Sequence, residues 1–389
     1  MKKAVSSLWK GELARTGSLI FLASLSANLI LFFANLFISE ILGAEQFGIF
    51  KTVEYLFAFL PVLIELGINV SLVKYIAQFK SRNKEKVGYL IKWFLKLKVF
   101  SYSILIAFIL IFREQIALFF LKDISLSYLV LAGTLLAAMT FFIVFQFIVL
   151  GFHKFKLFAL SQFLTLSISG FLGALLSHLG IFYIIVGWSF GYLIGNLFNL
   201  KFFFKERIIK KSREFDVSKI FLKFSLPMYF IGITTSLVAI TVPILSLFFS
   251  RELIGYFSFA FIFYLATLLI PGSISSVVFP KVSELNGFKR YKDAKNILRK
   301  AFSLYSFVAL IGIILVFLIS DWLFNSFFES YLPSLLMFKI LVIFGLIFGF
   351  NIIYTNYLQG LGKVKRFALL ILLQNILLFV ISFALLKIM

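Results

Sequence analysis

The chain has 389 residues, 62% of them apolar and only 14% charged, whereas soluble domains run at about 45–50% apolar and about 25% charged; that balance excludes a soluble globular enzyme. Lys and Arg outnumber Asp and Glu by 38 to 16, a net charge of +22, but the basic residues sit in short segments beside apolar stretches. This placement excludes a solvated nucleic-acid-binding domain and follows the positive-inside bias of membrane loops.

Eleven apolar stretches each reach the ~20 residues an α-helix needs to cross ~30 Å of hydrocarbon. They are predicted at 17–38, 47–70, 90–112, 126–150, 155–177, 181–203, 220–248, 254–279, 299–320, 332–357 and 366–386. The first follows Lys2, Lys3, Lys10 and Arg15 and is too long for the apolar region of a cleavable signal, so it reads as a membrane span. The connecting segments alternate in charge along the whole chain. Basic ones carry Lys74, Lys80, Arg82, Lys84 and Lys86, then Lys154 and Lys156, then a central run from Lys201 to Lys223, then Lys281 to Lys300, and finally Lys363, Lys365 and Arg366. The intervening ones hold Glu40 and Glu45; Arg113 and Lys122 offset by Glu114 and Asp123; His178; Arg251 with Glu252; and Asp321 with Glu329. The alternation assigns the N-terminus to the cytoplasm of a multi-pass protein in the cytoplasmic (plasma) membrane.

The central basic segment divides the chain into an amino-terminal lobe, 1–204, a cytoplasmic linker, 205–219, and a carboxy-terminal lobe, 220–389. The halves share anchors. Gly48, near the start of the second span, and Gly255, near the start of the eighth, lie 207 residues apart. Gly151-Phe152-His153-Lys154-Phe155 matches Gly360-Leu361-Gly362-Lys363-Val364 at an offset of 209. Two anchors with nearly one offset indicate an internal repeat. An even number of spans per repeat makes the repeats parallel, related by an axis along the membrane normal. The expected fold is therefore an all-α polytopic membrane protein of two six-helix-type repeats forming two lobes around a central cavity. With about 11 transmembrane helices, the last helix of the second repeat is expected to be missing, so either the protein is naturally shortened or its reading frame is truncated.

Polar residues inside spans are costly and mark candidate pathways. In the second span Lys51, Glu54, Pro61, Glu65 and Asn69, spaced three, seven, four and four, fall on one helical face. One reading is an ion- or substrate-handling stripe; the other is a local Lys51–Glu54 pair near the outer surface, with Glu65 near the cytoplasmic interface. Asn28 and Asn35 in the first span either line a cavity or bond neighbouring helices. Lys339 in the tenth span either attracts a phosphate or sugar acid or snorkels to the interface. Pro61, Pro227, Pro243 and Pro271 are candidate hinges, with static kinks as the alternative. No residue is assigned a catalytic role. No Walker A motif is present, no cysteine exists for thiolate chemistry or disulfides, and the two histidines, His153 and His178, do not make a metal centre. The sequence thus points to no enzyme activity, no cofactor, no metal and no nucleic-acid partner.

The segment Leu42-Gly43-Ala44-Glu45-Gln46-Phe47-Gly48-Ile49-Phe50, followed by Glu65-Leu66-Gly67-Ile68 and Lys74-Tyr75-Ile76-Ala77, resembles the polysaccharide-biosynthesis flippases, a branch of the multidrug/oligosaccharidyl-lipid/polysaccharide exporter superfamily. Leu358-Gln359-Gly360-Leu361-Gly362-Lys363 is similar to the family's turn after the fourth helix of the second lobe. The resemblance implies two lobes in a V around a cavity. It also implies a flippase that moves a polyprenyl-diphosphate-linked glycan to the outer leaflet by alternating access, in surface polysaccharide synthesis. Implied partners are that glycan lipid and membrane lipids, and Lys339 is the best candidate for the cation that the family's cavity commonly carries. On physical grounds Glu54 or Glu65 is expected to couple the movement to a proton or sodium gradient. Three other readings stay open: a cation-coupled drug antiporter of the same superfamily, a membrane-embedded glycosyltransferase or polymerase, and an inactive paralogue.

Overall fold

The computed structural model describes residues 2–80, 84–121, 126–205 and 214–389. Arg82, Lys122, Asp123, Arg207, Lys210, Lys211 and Arg213 of the expected loops, and 206–213 of the expected linker, lie outside the described residues. The longer helices are α1 (Lys2–Leu63), α2 (Ile68–Phe79), α3 (Lys84–Ile111), α4 (Leu126–Gly151), α5 (Phe155–Leu176), α6 (Ile181–Lys205), α7 (Leu226–Ser236), α8 (Thr241–Ser246), α9 (Arg251–Thr267), α10 (Leu269–Gly287), α11 (Tyr291–Phe327), α12 (Leu335–Gly360) and α13 (Val364–Ile388). Among the described residues there is no strand.

Among the described residues, ten helical stretches are long and apolar enough to cross a membrane. The first, Leu19–Leu63, has 45 residues, about 67 Å at 1.5 Å per residue and so roughly two bilayer thicknesses. Gly43 divides it: its φ of 70° and ψ of 169° are non-helical, a conformation that glycine adopts without a Cβ penalty. Counting two crossings there gives the eleven expected. The structure revises the local reading, because the connection expected around Glu40–Gln46 is helical on both sides of this one glycine. The second span also ends earlier than expected. Its helix stops at Leu63, a non-helical stretch covers 64–67, and α2 restarts at Ile68. Leu66 and Gly67 both have positive φ, 50° and 69°.

By contacts the chain forms two compact units. Unit 1 comprises Met1–Ile38 and Leu56–Ile233, and unit 2 comprises Ser39–Tyr55 and Thr234–Met389. These contact units are not the sequence halves expected from the repeat. Residues 39–55 of the first half pack in unit 2, and 220–233 of the second half pack in unit 1.

In unit 1, α2, α3 and α4 share a buried apolar core that includes Leu72, Ile76, Leu90, Phe94, Val144 and Ile148. Helices α5 and α6 pack backbone to backbone where Gly187 lies against Leu172 and Gly191 against Ser169, the small-residue contact that suits helices in lipid. In unit 2, Tyr331 stacks on Phe259 at 4.1 Å and donates its hydroxyl to the Ser39 carbonyl at 2.8 Å.

Both sequence anchors of the repeat recur as geometry. In unit 2 the α1 segment around Gly48 crosses α9 around Gly255, and the crossing is reciprocal. A Cβ on Gly48 would overlap the Arg251 carbonyl, and one on Gly255 would overlap the Ala44 carbonyl. Ala44 and Arg251 are also 207 positions apart, so repeat-equivalent residues meet each other symmetrically. The second anchor is a helix-ending turn. His153 (φ 60°) and Gly362 (φ 74°) take the same left-handed conformation. The following N–H bonds also match: Lys154 donates to Val149 and Lys363 to Leu358, five residues back in each case. This double reversal is a Schellman-type helix end.

Candidate functional site

Glu65 occupies the break between α1 and α2. Its carboxylate accepts the Gly67 N–H at 2.7 Å and the Asn69 N–H at 2.8 Å, and so satisfies two of the free amides that open α2. A carboxylate at a helix N-terminus also meets the positive end of the helix dipole. The Ile64 carbonyl, freed where α1 ends, accepts from Nζ of Lys98 on α3 at 3.1 Å. Lys98 is 2% exposed and interacts electrostatically with Glu65. The Tyr229 hydroxyl donates to the Leu63 carbonyl at 3.0 Å. The Ser71 and Ser225 hydroxyls are hydrogen-bonded at 2.6 Å. Asn69 is buried, and its Oδ1 has no hydrogen-bond partner. Glu65, Lys98, Asn69, Ser71, Ser225 and Tyr229 thus form a polar cluster inside unit 1, centred on the helix break at 64–67.

The other predicted residues do not join this cluster. Lys51 and Glu54, in unit 2, form a direct ion pair at 2.6 Å, as the local-pair reading expected. Lys51 is 1% exposed and lies 5.3 Å from the ring centres of Phe47 and Phe50, a cation–π setting for a desolvated ammonium. Asn28 and Asn35 donate to the Ser24 and Leu31 carbonyls of their own helix at 2.7 and 2.8 Å. Lys339 makes a bidentate contact with Asp321 at 2.8 and 2.9 Å, its side chain 25% exposed and that of Asp321 57% exposed.

Each candidate hinge proline stands next to a backbone irregularity. Pro61 precedes the end of α1 by two residues. Pro227 follows the π-helical turn Phe221–Ser225, Pro243 follows the 3₁₀ turn Leu237–Ile240, and Pro271 follows the break at Leu268. For Pro227, Pro243 and Pro271 the physical link is the missing N–H, which removes one rung of the helical ladder and frees a carbonyl four residues earlier.

Lys98 escaped the sequence reading. The signal was present: it is the central residue of the 27-residue span Glu85–Ile111, where an ionisable group is expected to serve a function or find a partner. It was hidden by the lysines that start the same helix. A cavity of about 770 Å³ in unit 1, walled by Ile106, Ile109, Phe141, Phe145 and other mostly apolar side chains, contains none of the predicted site residues.

Outside the spans, Lys80, His153 and Lys154 form a basic group. Burial, and then the Lys80 charge, holds the His153 pKa below its ordinary value; burial, and then Lys154, lowers that of Lys80.

Among solved structures, an inward-facing multidrug resistance MATE family transporter of the MOP superfamily is similar to this chain with a TM-score of 0.68 at 14% identity, covering 93% of this chain and 94% of that one. The outward-facing form of a multidrug resistance MATE family transporter gives 0.61 at 14% identity, covering 96% and 94%. A MATE structure in complex with MaL6 gives 0.65 at 14% identity, covering 92% and 84%. At such identity these likenesses establish the fold, a two-lobed helical membrane architecture. Among curated proteins none matches the sequence. A family model described as "Polysaccharide biosynthesis protein" matches residues 13–286, well over half the chain. The chain therefore belongs to the polysaccharide biosynthesis protein family, a multi-pass membrane protein on a transporter fold.

Proposed function

We propose that this protein is a flippase carrying a polyprenyl-diphosphate-linked glycan from the cytoplasmic to the outer leaflet of the plasma membrane, with its N-terminus in the cytoplasm. The observation that carries the reading is the polysaccharide-biosynthesis family match on a transporter fold. A glycan headgroup cannot cross hydrocarbon unaided, because its hydroxyls lose water without replacement. A polar path through the protein supplies substitute partners, while the lipid tail stays in the bilayer. Rocking of parallel repeats exposes such a path to one side at a time. The breaks beside Pro61, Pro227, Pro243 and Pro271 are places where the spans can bend during that motion.

The polar cluster at Glu65 is the best candidate for a functional centre, since it combines a helix break with Lys98, a buried charge in the span Glu85–Ile111. Glu54 and Lys339 are weaker candidates because each already has a close ion-pair partner. Movement driven by a proton or sodium gradient is part of the proposal. The test is complementation of a flippase-deficient strain: restored surface glycan supports the reading, and Glu65→Gln is expected to reduce the restoration. Failure to restore glycan, with efflux of cationic drugs instead, would replace it with the antiporter reading.

A further inference from the structure

We propose that Lys98 is the resident cation of the Glu65 site: its ammonium takes the place that a free monovalent ion would hold at the broken helix, so this site binds no sodium or potassium while Lys98 is charged. Three oxygen groups are carried by residues 64–69 at the helix break. The Ile64 carbonyl is at the C-terminal end of α1, where the dipole is negative. The Glu65 carboxylate follows it in sequence, and Asn69 contributes a buried Oδ1 with no hydrogen-bond partner. Unwound carbonyls and half-helix C-termini beside a carboxylate are the chemistry that holds small cations inside membranes. Here the cation is covalently attached. Lys98 Nζ donates to Ile64 O at 3.1 Å and interacts with the Glu65 charge from a position 2% exposed. A tethered ammonium needs no supply from solution, because it sits at a high effective concentration fixed by its own backbone. The same logic appears in unit 2, where Lys51 neutralises Glu54.

The proposal does not depend on which substrate the protein moves, so its failure would leave the flippase reading untouched. The full chain is purified, and its thermal unfolding is followed in sodium, potassium or choline chloride at one ionic strength. The wild type is expected to melt at the same temperature in all three, or to show an ion dependence that Glu65→Gln leaves unchanged. Lys98→Met is expected to melt lower in choline and to regain several degrees in sodium or potassium. The double variant Lys98→Met/Glu65→Gln, which removes both charges, is expected to lose that ion dependence. If Lys98→Met alone does not fold, recovery of folded protein in the double variant supports the proposal, since the fault is then the uncompensated carboxylate. Failure of both variants to fold overturns it, as the lysine stem is then the requirement. A wild-type sodium effect abolished by Glu65→Gln, a Lys98→Met protein indifferent to the ion, or an ion dependence that persists in the double variant also overturns it.

Discussion

Replacing Gly48 by alanine forces two helices apart. The new Cβ would overlap the Arg251 carbonyl oxygen and lie 2.8 Å from the Gly255 nitrogen, where ordinary contact begins at 3.4 Å. Even the second contact requires a shift of about 0.6 Å, from 2.8 to 3.4 Å, and a radial gap of about 0.5–1 Å already forfeits a quarter to a half of the dispersion well for the atoms around it. Both obstacles are backbone atoms, so no side-chain rotation relieves them. The expected cost is about 1–3 kcal/mol, the usual range for overpacking. Gly255→Ala meets the mirror-image obstacle, with the Ala44 carbonyl carbon at 2.6 Å, and should cost about the same. One displacement relieves both clashes, so the double variant should cost little more than the worse single variant. That non-additivity is about 1–3 kcal/mol, within the range for coupled neighbours. Denaturant unfolding of the purified protein, read by fluorescence of its 4 tryptophans, measures all three variants. Two single costs below about 0.5 kcal/mol, the level of unremarkable substitutions, or a fully additive double variant would refute the close reciprocal crossing.

Gly67→Ala should be at least as damaging. It places an alanine at φ 69° and sets its Cβ against the Ser225 carbonyl, so unfolding should show a loss of more than about 2 kcal/mol from left-handed strain plus overpacking. Lys339→Ala and Asp321→Ala should each change stability by less than about 1 kcal/mol, because their pair is partly exposed and screened. The two should also affect complementation equally, whereas a selective loss with Lys339→Ala would restore that lysine as a substrate contact. His153 should titrate below its ordinary value of about 6.5. With a folded pKa below the unfolded one, its contribution to stability is present above about pH 6.5 and is lost as the pH falls through the folded value. In a His178→Asn background its NMR titration is the sole histidine signal. Lys80→Gln should move that titration upward but not fully, since burial, the larger cause, remains.

Much of the fold was legible because hydrocarbon imposes a simple rule: every buried backbone group must bond within its own helix. Span length therefore follows from composition alone, and the stretches from Phe155 to Lys205 and from Glu329 to Ile388 are close to those read from sequence. The repeat was legible from Gly48, Gly255 and the two Gly-x-x-Lys turns, because helix crossings and helix ends need particular residues. The site was less legible. Lys51, Glu54, Glu65 and Asn69 share one face of an ideal helix, yet the chain breaks at 64–67 and places Lys51 and Glu54 in one unit and Glu65 and Asn69 in the other.

By itself the sequence determined that this chain is a duplicated bundle of membrane helices, because hydropathy and small-residue spacing are local properties. Tertiary structure decided which partner each charge received. Lys98 reaches the Ile64 carbonyl across 34 positions, and Tyr229 reaches Leu63 across 166. A buried charge is stabilised by whatever acceptor the packing brings within about 3 Å, and distance along the chain carries no record of that meeting.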